Sequence, residues 1–537
     1  MSDVFTRHVT PGATPQTEKA RADQVVNNDG GYVFQASDKT RLNRFLTIGT
    51  EGGTYYQKER ALTRANANLV TDLAQASNPA LVNEAVAVSQ AGRAPRNNPA
   101  LFALAAAAGL GNTAYRQAAL DALPSVARTG THLLKFAEYA QMFRGWGPQL
   151  TKGIGAWYLR QSPEDLAYQL LKYKQRDGWS HRDVMRLAKF GRVANLAEVQ
   201  PAHRALFDYV MKGEFNASLL PPIVDVAEQA HETRNVADWT RLIASNRSLS
   251  HEMLPSEALA KAEVWEAMIR NGNLPLGALL RNLGRLTHLG VISPMGGGAT
   301  NIITAMLTDQ RAVTGARIHP IAVLIALKTY EQGHGTKGKL RWNPSPQVMD
   351  ALDAMFYLAF GSVRPSGKRT VIALDVSSSM GNYIADYPFT AREIAAAMAM
   401  IGAKTEPSYV ITAFSNVFTP ISISPSQRLD DVVRSVSGLN FGWTDMSLPM
   451  RWAQQQNLDA DVFQIWTDNE VNRSTMHPFE ALRMYRRHSG IDAKLQVCAV
   501  TPTEFSIADP LDPGMLDVSG FDAAVPNLLA AHARGDL

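Results

Sequence analysis

Between about Ala36 and Phe360, apolar residues recur every three to four positions, in runs broken by Gly, Pro, Ser, Thr or Asn. That period lines one face of an α-helix with apolar side chains. It predicts helices over Ala61–Ala74, Pro79–Ala91, Pro99–Leu110, Ala114–Val126, Thr131–Arg144, Pro148–Leu159, Pro163–Tyr173 and Trp179–Lys189. Several open on Pro or a Ser, Thr or Asn cap, and Gly commonly lies past the end. Ser180-His-Arg-Asp183 reads as a capping box with Asp in place of Glu. Strand signals are scarce in this part. Short helices on short loops over such a length predict stacked helical hairpins, as in a solenoid, though no exact repeat is visible.

After Gly361 the pattern changes to alternating strand and helix: Val371–Val376, Tyr387–Gly402, Tyr409–Phe414, Asp445–Gln456, Val462–Trp466, Pro478–Arg487 and Lys494–Val500. Strands that are apolar throughout, separated by helices, predict an open parallel sheet. The expected division is a polar tail over residues 1–28, a helical module over 29–360, a linker Gly361–Gly367, and an α/β domain over 368–537.

Composition adds limits. A chain of 537 residues, 45% hydrophobic and 19% charged, is globular and needs more than one core. Pro99–Gly111 is the most apolar stretch, but about 13 residues fall short of the roughly 20 that span a bilayer, so a buried helix and no membrane are expected. The single cysteine, Cys498, excludes an intrachain disulfide and a cysteine-based zinc site, which suits a reducing cytoplasm. The net charge of +4 hides an asymmetry, with +9 before residue 361 and −5 from there on. A phosphate-rich partner is therefore expected on the helical part.

The apolar run Val371–Leu374 ends in Asp375, Ser377 and Ser379, hard oxygen donors spaced i, i+2, i+4. At the carboxyl end of a strand they face the crevice where ligands bind in such sheets. Asp461–Asp468 is a second apolar strand ending in an acid, and Phe441-Gly-Trp-Thr444 lies between the two. These three pieces resemble the metal-ion-dependent adhesion site of von Willebrand factor A domains, although this chain has Gly442-Trp443-Thr444-Asp445 where many members have Gly-Gly-Thr-Asp. The resemblance implies that Asp375, Ser377, Ser379, Thr444 and Asp468 hold a divalent cation, Mg²⁺ foremost with Mn²⁺ or Ca²⁺ as alternatives. It also leaves a metal position for an acidic side chain of a protein ligand.

Two stretches of the helical part carry surplus cation. Lys172, Lys174, Arg176, Arg182, Arg186, Lys189 and Arg192 face only Asp177 and Asp183, with Tyr168, Tyr173, Trp179 and His181 interleaved. Such residues supply phosphate contacts and stacking surfaces for unpaired bases. Ala267 to Thr308 contains no acid, and Arg281, Arg285 and His288 share one helix face while Leu279, Leu283 and Leu286 share another.

Lys172-Tyr-Lys-Gln-Arg-Asp-Gly-Trp-Ser-His-Arg-Asp183, Leu280–Gly284, Arg317–Pro320, Thr329–Gly335 and Trp466–Glu470 together resemble the Ro 60-kDa autoantigen family and its bacterial members. The resemblance implies a multidomain chain, with an all-α, HEAT-like TROVE module closing into a ring and a Rossmann-like von Willebrand A domain after it. It implies that Y RNAs bind an outer basic surface or rim, where Lys172, Lys174, Arg176, His181 and Arg182 fall. Single-stranded 3′ ends of misfolded or structured RNAs would enter a central hole lined by Arg281 and Arg285. The implied partner is a 3′-to-5′ exoribonuclease such as polynucleotide phosphorylase, in RNA quality control, ribosomal RNA maturation or decay, and stress survival. A cytoplasmic monomer is expected.

An enzyme is the rival class. A haloacid-dehalogenase phosphatase needs a second Asp where Ser377 stands, and no nucleophile elbow, phosphate loop or His-Glu-x-x-His appears. A non-catalytic scaffold is expected. A metal-dependent protein-binding scaffold without RNA function is the alternative.

Overall fold

The computed structural model describes residues 13–48, 68–94, 96–176, 178–189, 199–335, 339–361, 363–384, 389–439, 442–471, 473–501 and 503–536. They form two compact units, one of residues 70–92 and 96–359, the other of 1–69, 93–95 and 360–537.

The chain begins in the second unit, with β1 (Gln24–Val26) and β2 (Tyr32–Gln35) paired antiparallel. The helix Asp38–Ile48 follows. The helical unit then runs from Pro79–Ala91, Asn98–Leu110, Thr113–Val126, Gly130–Phe143, Pro148–Leu159 and Pro163–Lys172 through to Pro346–Leu358. The expected helix Ala61–Ala74 lies partly outside the described residues.

Helix starts obey local chemistry. Asn78, Asn112, Thr129 and Ser162 each accept a first-turn backbone N–H on the side chain, worth about 1 kcal/mol per cap. Asn98–Leu110 is buried nearly all round and packs on Thr113–Val126 and Gly130–Phe143, which is why its apolar run shows no clear face. Among the described residues, no helix is long and apolar enough to cross a membrane. Between Lys172 and His181 the chain makes a hairpin of β3 (Gln175–Arg176) and β4 (Trp179–Ser180). Ser180 then caps His181–Leu187 in a complete capping box with Asp183, as the sequence pattern predicts.

In the second unit β5 (Thr370–Asp375), β6 (Tyr409–Phe414), β7 (Phe418–Ile421), β8 (Val462–Thr467), β9 (Lys494–Ala499) and β11 (Met515–Ser519) make one sheet. Its order is β11-β9-β8-β5-β6-β7, all parallel except the antiparallel edge β7. Every residue of β5 and β8 is buried, as a sheet covered on both faces demands. One face packs Val371, Phe463, Ile465 and Val497 against Phe479, Tyr485 and Met450.

The remaining strand, β10 (Phe505–Ser506), pairs with β2 and completes a small antiparallel sheet. Val33 and Phe34 of β2 join the core of the large sheet. Residues 13–28, expected as part of a tail, are therefore structural. Two of their polar side chains reach the C-terminal part: Arg21 pairs with Asp509 at 2.6 Å, and Thr14 Oγ1 donates to Glu480 at 3.0 Å. Arg44, buried on the first helix, holds Asp517 through two hydrogen bonds of 2.8 Å. Packing thus assigns residues 13–48 to the C-terminal unit, upstream of the expected boundary at 360.

Candidate functional site

The crevice forms where β5 is flanked by β8 on one side and β6 on the other, so that the loops after β5 and β8 leave in opposite directions. Asp375 closes β5 and is wholly buried. Its Oδ1 accepts the Ser377 N–H at 2.9 Å, and its Oδ2 accepts the Thr467 hydroxyl at 2.7 Å from the end of β8. Ser377 and Ser379 place their Oγ atoms 3.2 Å apart. Asp468 Oδ1 accepts the Glu470 N–H at 3.1 Å, whereas its Oδ2 is shielded from solvent and has no hydrogen-bond partner among the described residues.

Thr444, also buried, sits on a loop tied to both others. Gly442 C=O accepts the Ser378 N–H at 3.3 Å, and Thr444 C=O accepts the Ser474 hydroxyl at 3.5 Å. A Cβ at Gly442 would collide with Asn416 Oδ1, so this glycine lets the loop lie close. Trp443 does not crowd the donors: its indole is 46% exposed, with the Arg473 guanidinium 5.5 Å from the ring centroid.

Electrostatics fit a cation. Burial pushes the Asp375 carboxyl up to about 6, against the pull of Ser377, Thr467 and Arg392. Asp468 is pushed well above the carboxylate range by burial, then by Asp375 and Glu470. Among the described residues no three His, Cys, Asp or Glu side chains form a metal cage; the donors are mostly hydroxyls. Two crowded acids, three hydroxyls and an orphaned carboxylate oxygen suit a hard divalent ion and no soft one. Arg392, buried on the helix Ala391–Thr405, fixes the first loop by donating to the Ser377 C=O at 3.0 Å.

The N-terminal segment braces the third loop, which the sequence reading missed. Gln16 N–H donates to Ser474 C=O at 3.0 Å, Asn27 Nδ2 to Val471 C=O at 2.8 Å, and Asn28 Nδ2 to Glu470 at 2.8 Å. Asn27 Oδ1 also accepts the Gly31 N–H at 2.8 Å. The available signal was Asn27-Asn28-Asp29-Gly30-Gly31, a turn cluster rather than disorder.

On the helical unit, the expected RNA-contact residues divide. Lys174, Arg176 and Arg182 are exposed on or beside the β3–β4 hairpin. Lys172 is only half-exposed. Its Nζ donates to the Tyr168 hydroxyl at 2.9 Å and lies over the Tyr168 and Tyr173 rings. His181 is not at a surface or rim. It is 2% exposed, its Nδ1 is 2.8 Å from the Tyr158 hydroxyl, and Gly130 leaves room for its ring. As the first residue after a cap it turns inward, like Val184 and Met185 one turn on. Arg192 and Asp177 lie outside the described residues.

A groove of about 770 Å³ opens beside Lys174 and Arg182, with Asp225, Glu228 and Glu232 on its other wall. Arg281 and Arg285 are exposed on the helix Leu276–His288, whose Leu279, Leu283 and Leu286 are buried, as the pattern predicts.

A helical array and a parallel-sheet domain with this hydroxyl-rich crevice define a TROVE and von Willebrand A protein. The family description "TROVE domain" matches residues 25–220 and 240–329, and "Ro60 vWA domain" matches 369–533. The RNA-binding protein RO60 of Deinococcus radiodurans is 39% identical over 99% of both chains. That of Caenorhabditis elegans is 34% identical over 97% of this chain and 92% of its own. The crystal structure of the Deinococcus radiodurans RO (RSR) protein superposes with a TM-score of 0.68 at 37% identity, covering 93% of this chain and all of the other. The chain belongs to the Ro60 family, as a Ro protein of the bacterial type.

Proposed function

We propose that this chain is an RNA-binding scaffold, with RNA held by the helical unit and a protein held by the A-type domain. One observation carries the reading. Lys174 and Arg182 at the hairpin, and Arg281 and Arg285 on their helix, are exposed without a carboxylate partner among the described residues. Unpaired cations in groups favour phosphates, which supply most of the affinity in such complexes. The names of the two RO60 relatives support it.

The finer reading rests on the family likeness. Y RNAs occupy the outer basic surface through Lys174, Arg176 and Arg182. Single-stranded 3′ ends of misfolded RNAs reach Arg281 and Arg285, and a 3′-to-5′ exoribonuclease acts on the RNA so presented, in the cytoplasm and during stress. The chain itself does no chemistry on RNA. Asp375, Ser377, Ser379, Thr444 and Asp468 would hold Mg²⁺ or a similar ion, which when bound supplies a Lewis-acidic position for a partner's carboxylate. The residues around it position that set, with Arg392 fixing the first loop and Asn27 and Asn28 fixing the third.

Crosslinking in cells followed by sequencing of attached RNAs tests this. Small structured RNAs and RNAs with unpaired 3′ tails are expected, with crosslinks at the hairpin. Absence of RNA would leave the metal-dependent protein scaffold as the function.

A further inference from the structure

We infer that a pocket lined by Arg116, Arg144, Gly145 and Gly147 is an oxyanion site that takes a backbone phosphate of single-stranded RNA. The inference rests on the RNA-binding reading above and adds a contact site to it. The pocket holds about 200 Å³, and among the described residues no acid lines it. Arg116 Nη2 donates to Thr113 Oγ1 at 3.1 Å, and its Nε, shielded from solvent, has no hydrogen-bond partner among the described residues. The guanidinium keeps further N–H donors beyond that bond, and an oxyanion in the pocket is a fitting acceptor for them.

Arg144 is exposed, with no carboxylate partner among the described residues. Two guanidinium groups facing one cavity without an acid between them repel until an anion sits there. The helix Pro148–Leu159 starts at the same spot from Gly147, without a side-chain cap, and its positive end adds to the field. Gln149 Nε2, bonded to Thr113 C=O at 3.1 Å, pins the rim.

The surroundings favour a polymer over a free ion. The Trp146 ring lies 6.2 Å from the Trp179 ring at an interplanar angle of 32°, and both are partly exposed. Trp179 is the register partner of Arg176 across the hairpin, and Lys174 precedes β3. Cations at Arg116 and Arg144, an indole pair, and cations at Lys174 and Arg176 therefore follow one another along the surface. Alternating charge and aromatic faces suit successive phosphates with a base stacked between them. An inorganic phosphate would use the pocket alone.

Fluorescence anisotropy of the full chain with a labelled single-stranded oligouridylate, over a salt series, tests the site. Arg116→Gln with Arg144→Gln should weaken binding about tenfold and reduce the slope of log K against log salt by about 0.7, one phosphate's worth. The Lys pair at the same positions should restore the slope. Trp146→Ala should lower affinity without changing the slope, because stacking releases no counterion. If the Gln pair does not fold, Arg144→Gln alone, at an exposed position, must still lower the slope.

Wild-type affinity and slope in a folded Gln variant would overturn the pocket alone, provided Lys174→Ala with Arg182→Ala still weakens binding. A folded wild type that binds no RNA would overturn the pocket and the RNA-binding reading together. Binding of inorganic phosphate lost in the Gln pair, with RNA affinity intact, would overturn the RNA assignment in favour of a free-anion site.

Discussion

Burial beside Tyr158 keeps the His181 imidazole neutral and pushes its pKa down to about 4. Unfolded, the group titrates near 6.5, so between those values the unfolded chain binds the extra proton. Stability from this residue is complete above about pH 6.5 and is lost as pH falls through 4, a loss on the order of 3 kcal/mol. Thermal midpoints measured from pH 4 to 7 should fall on acidification, and less steeply in His181→Gln; parallel curves would place the titrating group elsewhere. At the crevice, the crowded Asp375 and Asp468 gain from a cation that binds only the folded state. Mg²⁺ or Mn²⁺ should raise the melting temperature of the wild type and leave Asp375→Ala unmoved, with RNA affinity nearly equal in both. The gathering of Asp375, Ser377 and Asp468 at one crevice was legible because their spacing at strand ends fixes which way they face. His181 was not: the Ser180 cap was readable and marks where the helix starts, but that its first residue turns inward is settled by distant packing, against Tyr158 and Gly130.

Elements were legible where one signal dominates. Proline starts, Asn and Thr caps and the Ser180–Asp183 box located helices to within a few residues, since each satisfies a backbone N–H that has no other partner. The two-residue strands β3 and β4 left no period to read, and neither did β7, an edge strand carrying Pro420 at a place only an edge tolerates. The hairpin matters because Arg176 within it and Lys174 just before it are exposed. Replacing Lys174, Arg176 and Arg182 with Ala should flatten the salt slope of RNA binding by up to about two units, if each touches a phosphate. Lys172→Ala should leave that slope nearly unchanged, because its ammonium is held by Tyr168. Equal slopes for both variants would remove the hairpin from the interface.

At the scale of the whole chain, the packing units do not follow the sequence order of the modules. The TROVE match begins at residue 25, yet residues 13–48 pack with the domain formed by residues 360–537. The α/β unit is thus assembled from two ends of the chain, with the helical unit inserted between them. No local period could reveal this, because it depends on pairings of residues more than 400 positions apart: β2 with β10, Arg44 with Asp517, Arg21 with Asp509, Asn28 with Glu470. A fragment of residues 361–537 alone should therefore be unstable. It lacks the strand that pairs with β10, leaves Asp517 without Arg44 and the buried Asp509 with Arg483 but without Arg21, and uncovers the core that Val33 and Phe34 fill. Loss of one partner from a buried ion pair typically costs about 3–5 kcal/mol, against total domain stabilities of about 5–15 kcal/mol. Adding residues 13–48 as a separate peptide should restore a cooperative melting transition, and with it any Mg²⁺-dependent stabilisation, since the loop after β8 regains its brace at Val471 and Ser474. In the peptide, Arg44→Ala should weaken rescue most, by removing the two 2.8 Å hydrogen bonds to Asp517. Calorimetry of the fragment with and without the peptide decides it: a fragment that melts cooperatively and binds Mg²⁺ unaided would show that the N-terminal residues merely decorate a domain complete without them.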